Sequence, residues 1–446
     1  MKVRYPDGNV LLRNLNRDFP VIAHGRGSCL YDTDGKRYLD ASGGALVVSV
    51  GHGNHEVIDA VTKQLSKVAY VNGTHFTSEA AESLAQRLCE RAKPFGLNRA
   101  FFLSSGSEAI EAALKLARQV WVERKKPERH KIIARVPSYH GNTLGALSVS
   151  GRPHYRKLFG PYLMEVATIP APYRYRSEIE DYARLGGRHY AHYLEKAIVA
   201  AGPESVAAFI VEPIIGSSAA GAVPPADYFD HIQAICRKYQ VIVIADEVMC
   251  GTGRTGKFFA CEQVGLRPDI LVLGKGINGG YAPLSVVLTK NEFVKEIQSG
   301  SGSLSHAQTY MQSPCMVAVG CAILDQFERL RLLDHVVTFG TIFHERLKKE
   351  LLDLPHVGHI DGIGFMAGVE FVEDKATKKP FDRRRKVAER LVQHAFERGL
   401  ILWPNVGNVD GTEGDLIMLG PPLTSPREII DEIVDSLRDC LKSFAW

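Results

Sequence analysis

Short apolar runs alternate with longer amphipathic stretches through the middle of the chain, and this alternation restricts the fold more than any other feature. The runs are rich in β-branched and aromatic residues and are too short for typical helices. They are AFFL (100–103), KIIARV (131–136), AAFIVE (207–212), VIVIAD (241–246) and ILVLG (270–274). In the stretch 108–121, apolar residues recur every three or four positions, as on one face of a helix. Strands separated by helices favour an α/β domain built on a mainly parallel sheet.

The two ends of the chain have a different pattern. Residues 385–397 and 426–444 are amphipathic and, with short strands between them, predict a smaller α+β domain. The turn sequence DTDG (32–35) predicts a hairpin near the start, and the polar, aperiodic region 174–188 predicts a long surface loop. We therefore expect three parts: an N-terminal segment that packs with the small domain, a large domain, and the C-terminal small α+β domain, which span residues 1–65, 66–324 and 325–446.

The composition is that of an ordinary globular protein. With 446 residues, 45% hydrophobic and 23% charged, the chain is unlike disordered, collagen-like or coiled-coil sequences. The net charge of +4 is small for this length, so we expect no nucleic-acid partner. No run approaches 18 apolar residues, and no apolar stretch follows the charged N-terminus, so we expect neither a membrane span nor secretion. Eight cysteines without a CxxC pair indicate free thiols and a cytoplasmic protein.

The segment SSGSE (104–108) follows the first strand and opens the first helix. Ser105 is a good N-cap, and Glu108 completes a capping box. Gly106 lets a ligand approach the backbone, and Ser107 adds a hydroxyl donor. Because the first N–H groups of a helix have no partner within it, they form an anion site that suits a phosphate. A capping box without a ligand is the alternative interpretation.

Two acids and a lysine follow three other strands. Asp246 at the end of a hydrophobic strand needs a cation or a strong donor, and a protonated pyridine nitrogen is such a partner. Glu212 is a second acid in the same layer, and a structural carboxylate bound by backbone donors is an equal alternative. Lys275 lies in GKGINGG (274–280), where burial should lower its pKa and free the amine as a nucleophile. A salt-bridged structural lysine is the alternative for Lys275.

Together, these groups indicate a ligand site more strongly than each of them does alone. In an open α/β sheet, ligands bind outside the carboxyl ends of the strands. Here four such ends carry a phosphate cap, two acids and an amine. Pyridoxal 5′-phosphate needs an anion cradle, a partner for its ring nitrogen and an amine for covalent attachment, so the residues fit this cofactor.

At this point the sequence resembles a known family. The motifs that carry the resemblance are FFLSSGSEAIEAALKLAR (101–118), YHGNTLGALSVSG (139–151), VEPIIG (211–216), ADEVMCGTGRTG (245–256), LGKGINGGYAPLS (273–285) and GPPL (420–423). They look like the class III aminotransferases, which are pyridoxal-phosphate enzymes of fold type I, the aspartate-aminotransferase-like fold. The resemblance runs from about residue 20 to the end. It implies a large domain with a mainly parallel seven-stranded sheet and a smaller α+β domain.

The resemblance also implies roles for the residues around the cofactor ring. Lys275 resembles the lysine that binds the cofactor covalently and moves the substrate proton, and Asp246 resembles the partner of the ring nitrogen. Val248 resembles the side chain packed on one face of the ring. Tyr139 resembles the aromatic residue stacked on the other face, with His140 beside it. A core aromatic residue is the alternative for Tyr139.

Other matching positions concern the phosphate and the subunit arrangement. Ser105, Gly106 and Ser107 resemble the phosphate cradle. Glu212 resembles an acid that in relatives contacts other side chains of the active site, including a substrate-binding arginine. Thr309, in SHAQTYMQSP (305–314), resembles a threonine that reaches the phosphate of the neighbouring subunit, which implies a homodimer with active sites at the interface. A loop residue with local partners is the alternative for Thr309.

The family's activity sets the expected reaction. The resemblance implies a transaminase that moves an amino group from an amine or amino acid, which includes ω-amino acids, to pyruvate or 2-oxoglutarate by a ping-pong mechanism. Racemases, decarboxylases and phospho-lyases share the scaffold and are the alternatives. GTGRTG (251–256) matches the pattern GxGxxG and leaves a nicotinamide-dependent oxidoreductase as a further alternative. The histidines show no metal-ligand spacing, so we expect no metal; those weighed are His52, His55, His140 and His306.

The substrate pocket departs from the family pattern. Many relatives that use α-amino acids carry an arginine where this chain has Met418, and amine or ω-amino-acid members often carry one near the position of Trp403. We therefore expect a more apolar pocket in which another basic residue binds any carboxylate. Arg174 and Arg176 are candidates, with ordinary loop arginines as the alternative.

Overall fold

The computed structural model describes residues 1–446. Strands β1 to β17 are, in chain order, Lys2–Val3, Phe19–Pro20, Ile22–Arg26, Cys29–Asp32, Arg37–Asp40, Arg99–Leu103, Lys131–Val136, Ala167–Pro170, Val206–Val211, Ile242–Asp246, Ile270–Leu273, Ser285–Thr289, Val357–Ile363, Met366–Phe371, Leu400–Ile401, Trp403–Val406 and Asp415–Leu419. Helices α1 to α14 are Gly43–Leu46, His55–Lys67, Glu79–Ala92, Gly106–Glu123, Leu144–Ser148, Pro153–Phe159, Tyr182–Ala201, Tyr228–Tyr239, Ala260–Val264, Asn291–Ser299, Pro314–Arg329, Leu332–Leu351, Val387–Glu397 and Arg427–Ser443. None of these helices is both long and apolar enough to cross a membrane.

Seven strands form one central sheet in the order β6-β12-β11-β10-β9-β7-β8. All five strands expected from the apolar runs belong to it, and they differ from the expected bounds by one residue at most. The sequence analysis did not identify β8 and β12 as strands. Strand β12 is antiparallel to both of its neighbours, and the other pairs in the sheet are parallel. The expected α/β class with a mainly parallel seven-stranded sheet is therefore confirmed.

Helix α4 shows why the sheet and its helices pack as the sequence indicates. Its apolar face is fully buried against the strands at positions such as Ile110, Ala113 and Ala117. Trp121, near its end, is 2% exposed, and its Nε1–H donates to the carbonyl of Ala207 at 2.9 Å. Because burial of apolar surface stabilises by about 25 cal/mol per Å², this face fixes α4 on the sheet and its N-terminus at the sheet edge.

The remaining strands form smaller sheets near the two ends of the chain. Strands β13, β14, β17 and β16 make an antiparallel sheet, which α12, α13 and α14 accompany in sequence. Strands β3, β4 and β5 form a second sheet with β15, whose Leu400 and Ile401 pair in parallel with Leu39 and Asp40. The N-terminal and C-terminal parts of the chain thus share one sheet. The residue bounds of the three expected parts stay a prediction.

One expected element is wrong. Residues 174–188 were expected to form a long loop, but α7 begins at Tyr182, where the side chain of Asp181 caps it. The buried face of this helix includes Gly186 and Gly187 instead of large apolar residues. A Cβ atom on Gly187 would lie 1.9 Å from Asp227 Oδ1. Close packing through glycine hides the helical period from an analysis based on hydrophobic residues.

Candidate active site

The carboxyl ends of the central strands bring most of the expected site residues into one cavity of about 180 Å³. Nine of the ten candidates line it: Ser105, Gly106, Ser107, Tyr139, His140, Glu212, Asp246, Val248 and Lys275. The tenth, Thr309, does not. Gly141, Ile214, Ser217, Met249 and Cys250 complete the lining. These groups come from five separate parts of the chain, and the sheet determines their arrangement.

Lys275 is the only lysine of the cavity, and its amine forms no ion pair or hydrogen bond with the protein. Its backbone has φ of 46°, in the left-handed region that non-glycine residues rarely adopt, and Gly274 and Gly276 flank it. Burial lowers the pKa of Lys275 from 10.5 to about 8, although the charges of Asp246 and Glu212 act in the opposite direction. About a tenth of this amine is therefore neutral at pH 7, far more than for an ordinary lysine, and the neutral form is the nucleophile.

Asp246 lies at the end of β10 and is 4% exposed. One carboxylate oxygen is 2.7 Å from His140 Nδ1, and the other accepts the N–H of Val248 at 3.0 Å. His140 Nε2 is buried and has no partner. The N–H of His140 donates to Ser150 Oγ at 2.8 Å, which fixes the histidine backbone. Asp246 is therefore a rigidly held buried carboxylate beside the lysine.

Glu212 is bound mainly by the backbone. Its two carboxylate oxygens accept the N–H groups of Tyr139 at 3.2 Å and Gly216 at 2.9 Å. Burial raises its pKa above the usual value, and the charges of His140 and Arg135 partly offset this effect. These contacts agree with the alternative of a structural carboxylate, because they hold the segment that carries Tyr139.

The start of α4 forms the expected capping box. Ser105 Oγ accepts the N–H of Glu108 at 3.3 Å, and Glu108 Oε2 accepts the N–H of Ser105 at 2.9 Å. The N–H groups of Gly106 and Ser107 have no protein acceptor. A Cβ on Gly106 would lie 2.8 Å from Val248 Cγ1, so only glycine fits there without displacing Val248. Two free N–H groups at a helix start suit a phosphate.

Thr309 lies outside the cavity of its own chain. It is exposed, and its neighbour Gln308 is placed 3.2 Å from Glu108 Oε1 and from the N–H of Ser104. The loop that contains Thr309 therefore lies beside the start of α4, on the outer surface of one chain.

The residues that were considered for substrate binding do not line the small cavity. Arg176 pairs with the buried carboxylate of Glu370, and Arg174 is exposed; neither lines the cavity. Met418 is 0% exposed and lies opposite Trp403 in the pairing of β16 with β17. Trp403 lines a separate large cleft of about 1680 Å³.

Arg152 is a residue near the site that the sequence analysis did not identify. Its guanidinium lies 5.2 Å from the centre of the Tyr139 ring, and its Nη2 donates to the carbonyl of Ser217. It also lines the large cleft, so it stands between the two spaces. The available signal was its position, directly after the motif that ends at Gly151.

The residues of the cavity fit pyridoxal 5′-phosphate. Free N–H groups suit its phosphate, the buried Asp246 carboxylate suits its ring nitrogen, and the unpaired Lys275 amine suits its aldehyde. The GTGRTG run (251–256) opens no helix, because α9 begins only at Ala260, so it does not form a dinucleotide-binding turn. The fold and the site therefore define a pyridoxal-phosphate enzyme of fold type I.

Comparison with known proteins specifies the family. The family model for class-III aminotransferases matches residues 13–441, and the chain belongs to this family. The uncharacterized aminotransferase YodT of Bacillus subtilis is 36% identical over 423 residues, which cover 94% of each chain. A solved (S)-enantioselective ω-transaminase from Thermomicrobium roseum is 35% identical, with a TM-score of 0.90 over 97% of this chain and 95% of its own. A PLP-bound amine transaminase from an uncultivated Pseudomonas species is 31% identical, with a TM-score of 0.91 over 99% and 98% of the chains. The protein is thus a pyridoxal-phosphate-dependent aminotransferase.

Proposed function

We propose that the enzyme moves the amino group of an amine or ω-amino acid to a 2-oxo acid such as pyruvate or 2-oxoglutarate in two successive half-reactions. The observation that carries this proposal is one cavity in which the unpaired amine of Lys275 lies with the buried carboxylate of Asp246. The donor class draws support from the similarity to an ω-transaminase and an amine transaminase. Met418, fully buried where many relatives bind an α-carboxylate, agrees with this donor class.

Lys275 and Asp246 have the central roles in this proposal. When bound, pyridoxal phosphate supplies a carbonyl group for the amino group and a ring that withdraws electrons. Lys275 Nζ acts as the nucleophile and then as general base and acid: it takes the proton from the substrate carbon that bears the amino group and later returns a proton. The Asp246 carboxylate, held by His140, keeps the ring nitrogen protonated.

The other lining residues bind and orient. Tyr139 and Val248 would pack on the ring, and the N–H groups of Gly106 and Ser107, beside Ser105, would hold the phosphate. Glu212 positions the backbone of Tyr139, as its hydrogen bond indicates.

The experiment is to mix the purified holoenzyme with a panel of amines and ω-amino acids without any acceptor. We expect the visible absorbance of the bound cofactor to shift to that of its aminated form, and addition of pyruvate or 2-oxoglutarate to reverse the shift. An unchanged spectrum together with racemised substrate would contradict the proposal. Release of CO₂ or inorganic phosphate in place of amino transfer would contradict it as well.

We also propose a homodimer in which Thr309 of one chain completes the site of the other. Thr309 lies beside exposed aromatic residues: Tyr310 is 59% exposed, Phe76 is 65% exposed and Tyr70 is 44% exposed. The rings of Tyr70 and Tyr310 are 6.1 Å apart. Apolar surface of this kind is typical of a protein–protein interface, and a second copy of the chain is the partner that the family resemblance implies.

Complementation between two inactive variants tests the shared site. In a heterodimer of Lys275→Ala and Thr309→Asp chains, one of the two sites receives an intact lysine and an intact threonine. Random mixing by co-refolding should then restore activity at about one quarter of all sites, because half of the dimers are heterodimers with one intact site each. A mixture no more active than the Thr309→Asp protein alone would rule out the shared site.

We also propose that the enzyme is located in the cytoplasm. All eight cysteines are free thiols, and five of them are buried. Free thiols are typical of a reducing compartment. Fractionation of the source cells, followed by detection of the protein, tests this location.

A further inference from the structure

Arg152 is a partly buried cation without a counter-ion. It forms no ion pair with a carboxylate of the chain, although the charge of Glu212 acts on it at longer range. Its Nη2 donates to the carbonyl of Ser217 and to Asn405 Oδ1, the latter at 3.2 Å. Its Nε is buried and has no acceptor. A buried donor without an acceptor costs free energy, so the hydrogen bonds of Nη2 leave this guanidinium only partly satisfied.

Other buried arginines differ from Arg152 in their surroundings. Arg135 also has two nitrogens without an acceptor, Nε and Nη1, but it is 0% exposed and lines neither the small cavity nor the large cleft. Arg129 pairs with Glu204 at 3.1 Å, and Arg176 pairs with Glu370. Arg254 has no carboxylate partner, but it donates to three backbone carbonyls and serves the packing of the chain. Arg152 differs from these arginines because it lines the large cleft beside Tyr139, and because two hydrogen bonds hold its Nη2 while its Nη1 has no acceptor.

Arg152 lies between the large cleft and the small cavity that contains Lys275. Its guanidinium carbon lies 5.2 Å from the ring centre of Tyr139 and 5.7 Å from that of Tyr155. Tyr139 lines the small cavity with Lys275, whereas Arg152 and Tyr155 line the large cleft. The charge of Arg152 also contributes to the lowered pKa of Lys275, so the two cations act on each other across a short distance.

We propose that Arg152 binds the carboxylate of the substrate and selects amino acids and oxo acids over uncharged amines. This inference rests on the proposed function and specifies its substrate class. A carboxylate in the cleft would accept a hydrogen bond from Nη1 of Arg152, which has no acceptor within the chain and, unlike Nε, is not buried. The amino or oxo group of the same molecule would then point towards Lys275. Because Arg152 is fixed by Ser217 and Asn405, it is already oriented when the substrate arrives.

The test compares substrates with and without a carboxylate. The holoenzyme and its Arg152→Gln variant are given β-alanine, 4-aminobutyrate or 1-phenylethylamine, and the cofactor absorbance reports each half-reaction. We expect kcat/KM for the two amino acids to fall about 100-fold, mainly through KM, as for the loss of a charge-assisted hydrogen bond. The rate with 1-phenylethylamine should stay within about threefold of the parent, since this amine offers no acceptor to Arg152.

Arg156→Gln is the matched control. Arg156 lies one turn further along in α6 and donates to the carbonyls of Leu147 and Ser148, but it lines neither the small cavity nor the large cleft. We expect this variant to treat all three donors as the parent does. Acetate and propionate should inhibit the 1-phenylethylamine half-reaction of the parent by saturable binding and should fail to do so in Arg152→Gln.

The outcomes separate the two proposals. An equal loss for charged and uncharged donors in Arg152→Gln, or equal inhibition of both proteins by propionate, would show that Arg152 only supports the structure. If Arg152→Gln does not fold, Arg152→Lys takes its place, with a loss of about tenfold confined to the carboxylate substrates. A parent enzyme whose absorbance no amine changes would overturn the proposed function and this inference together.

Discussion

The small cavity, where we propose that the cofactor binds (the cofactor half), and the large cleft, where we propose that the substrate carboxylate binds (the substrate half), are built in different ways. The small cavity takes its groups from residues that directly follow strands of one sheet or begin α4, as Asp246 and Gly106 do. The large cleft takes its lining from the N-terminal segment, the region around Arg152 and Tyr155, and the β16 strand with Trp403. The first half inherits its geometry from a regular sheet, whereas the second depends on packing between distant segments. Recognisable motifs therefore mark the cofactor half and not the substrate half.

Replacement of Lys275 by alanine is the strongest test of the cofactor half. We expect turnover to fall by at least about 10⁴-fold, because no other amine lines the cavity to move the proton. Steady-state assays with excess cofactor measure the effect. Lys257→Ala, a change at an exposed lysine outside the cavity, should leave turnover unchanged. Near-normal turnover by Lys275→Ala would show that the reaction does not depend on the amine of the small cavity.

The neighbouring acids Asp246 and Glu247 test whether a buried carboxylate affects the reaction only when it lines the small cavity. Asp246→Asn should lower kcat about 10³-fold, because a neutral amide cannot keep the ring nitrogen protonated. Glu247 is also buried, but its carboxylate accepts the N–H groups of Ala260 and Cys261, each at 2.7 Å, outside the cavity. Glu247→Gln should therefore lower stability and keep kcat within about threefold. Similar kcat losses in both variants would contradict the role assigned to Asp246.

Met418 tests whether the chain still accepts the arginine that the family resemblance places at this position. Met418 is fully buried in an apolar cluster with Leu46, Ile214 and Met366. Met418→Arg should lower the free energy of unfolding by about 3 kcal/mol or more, because it buries an unpaired charge. Urea denaturation measures this loss, and Met418→Leu should lose less than about 1.5 kcal/mol. A stable Met418→Arg protein that uses glutamate would show that this position still accepts a carboxylate-binding arginine.

The pH dependence of cofactor capture reports the amine of Lys275. Because burial lowers its pKa from 10.5 to about 8, the neutral fraction of the amine increases up to that pH and changes little above it. The rate at which cofactor-free protein binds pyridoxal phosphate covalently should therefore rise about tenfold per pH unit below 8 and then level off. Stopped-flow absorbance measures this rate. A rate that continues to rise beyond pH 10 would indicate an ordinary lysine.

The smallest expected effect concerns the phosphate cradle. Gly106→Ala places a Cβ 2.8 Å from Val248 Cγ1, so Val248 must shift and the cradle opens. We expect the dissociation constant of the cofactor to rise about tenfold, as measured by equilibrium dialysis. Gly160→Ala is the control, since a Cβ there meets nothing within 4 Å. Equal cofactor affinities of the Gly106→Ala and Gly160→Ala variants would show that Gly106 does not help to bind the phosphate.

The difference between the small cavity and the large cleft also explains which strands and site residues could be predicted from the sequence. The expected strands and the cavity residues at their ends, such as Asp246 and Lys275, could be predicted because strand ends of a parallel sheet meet at one edge. Tyr139, His140 and Val248 were predicted only from the resemblance to the family. Helix α7 was missed because Gly186 and Gly187 take the place of large apolar residues in its contact. Arg152 was missed because its guanidinium is held by Ser217 and Asn405, which lie far away in the sequence. Long-range packing of this kind leaves no local pattern.

The parallel pairing of Leu400–Ile401 with Leu39–Asp40 has a consequence for biosynthesis. A ribosome releases residues 22–40 long before their β15 partner exists, so the nascent chain holds an open sheet edge while hundreds of residues are still being added. Closing a loop of this length is entropically slow. The edge of β5 therefore stays unpaired and open to non-native pairing during translation, and a chain that ends before residue 400 leaves that edge permanently uncovered.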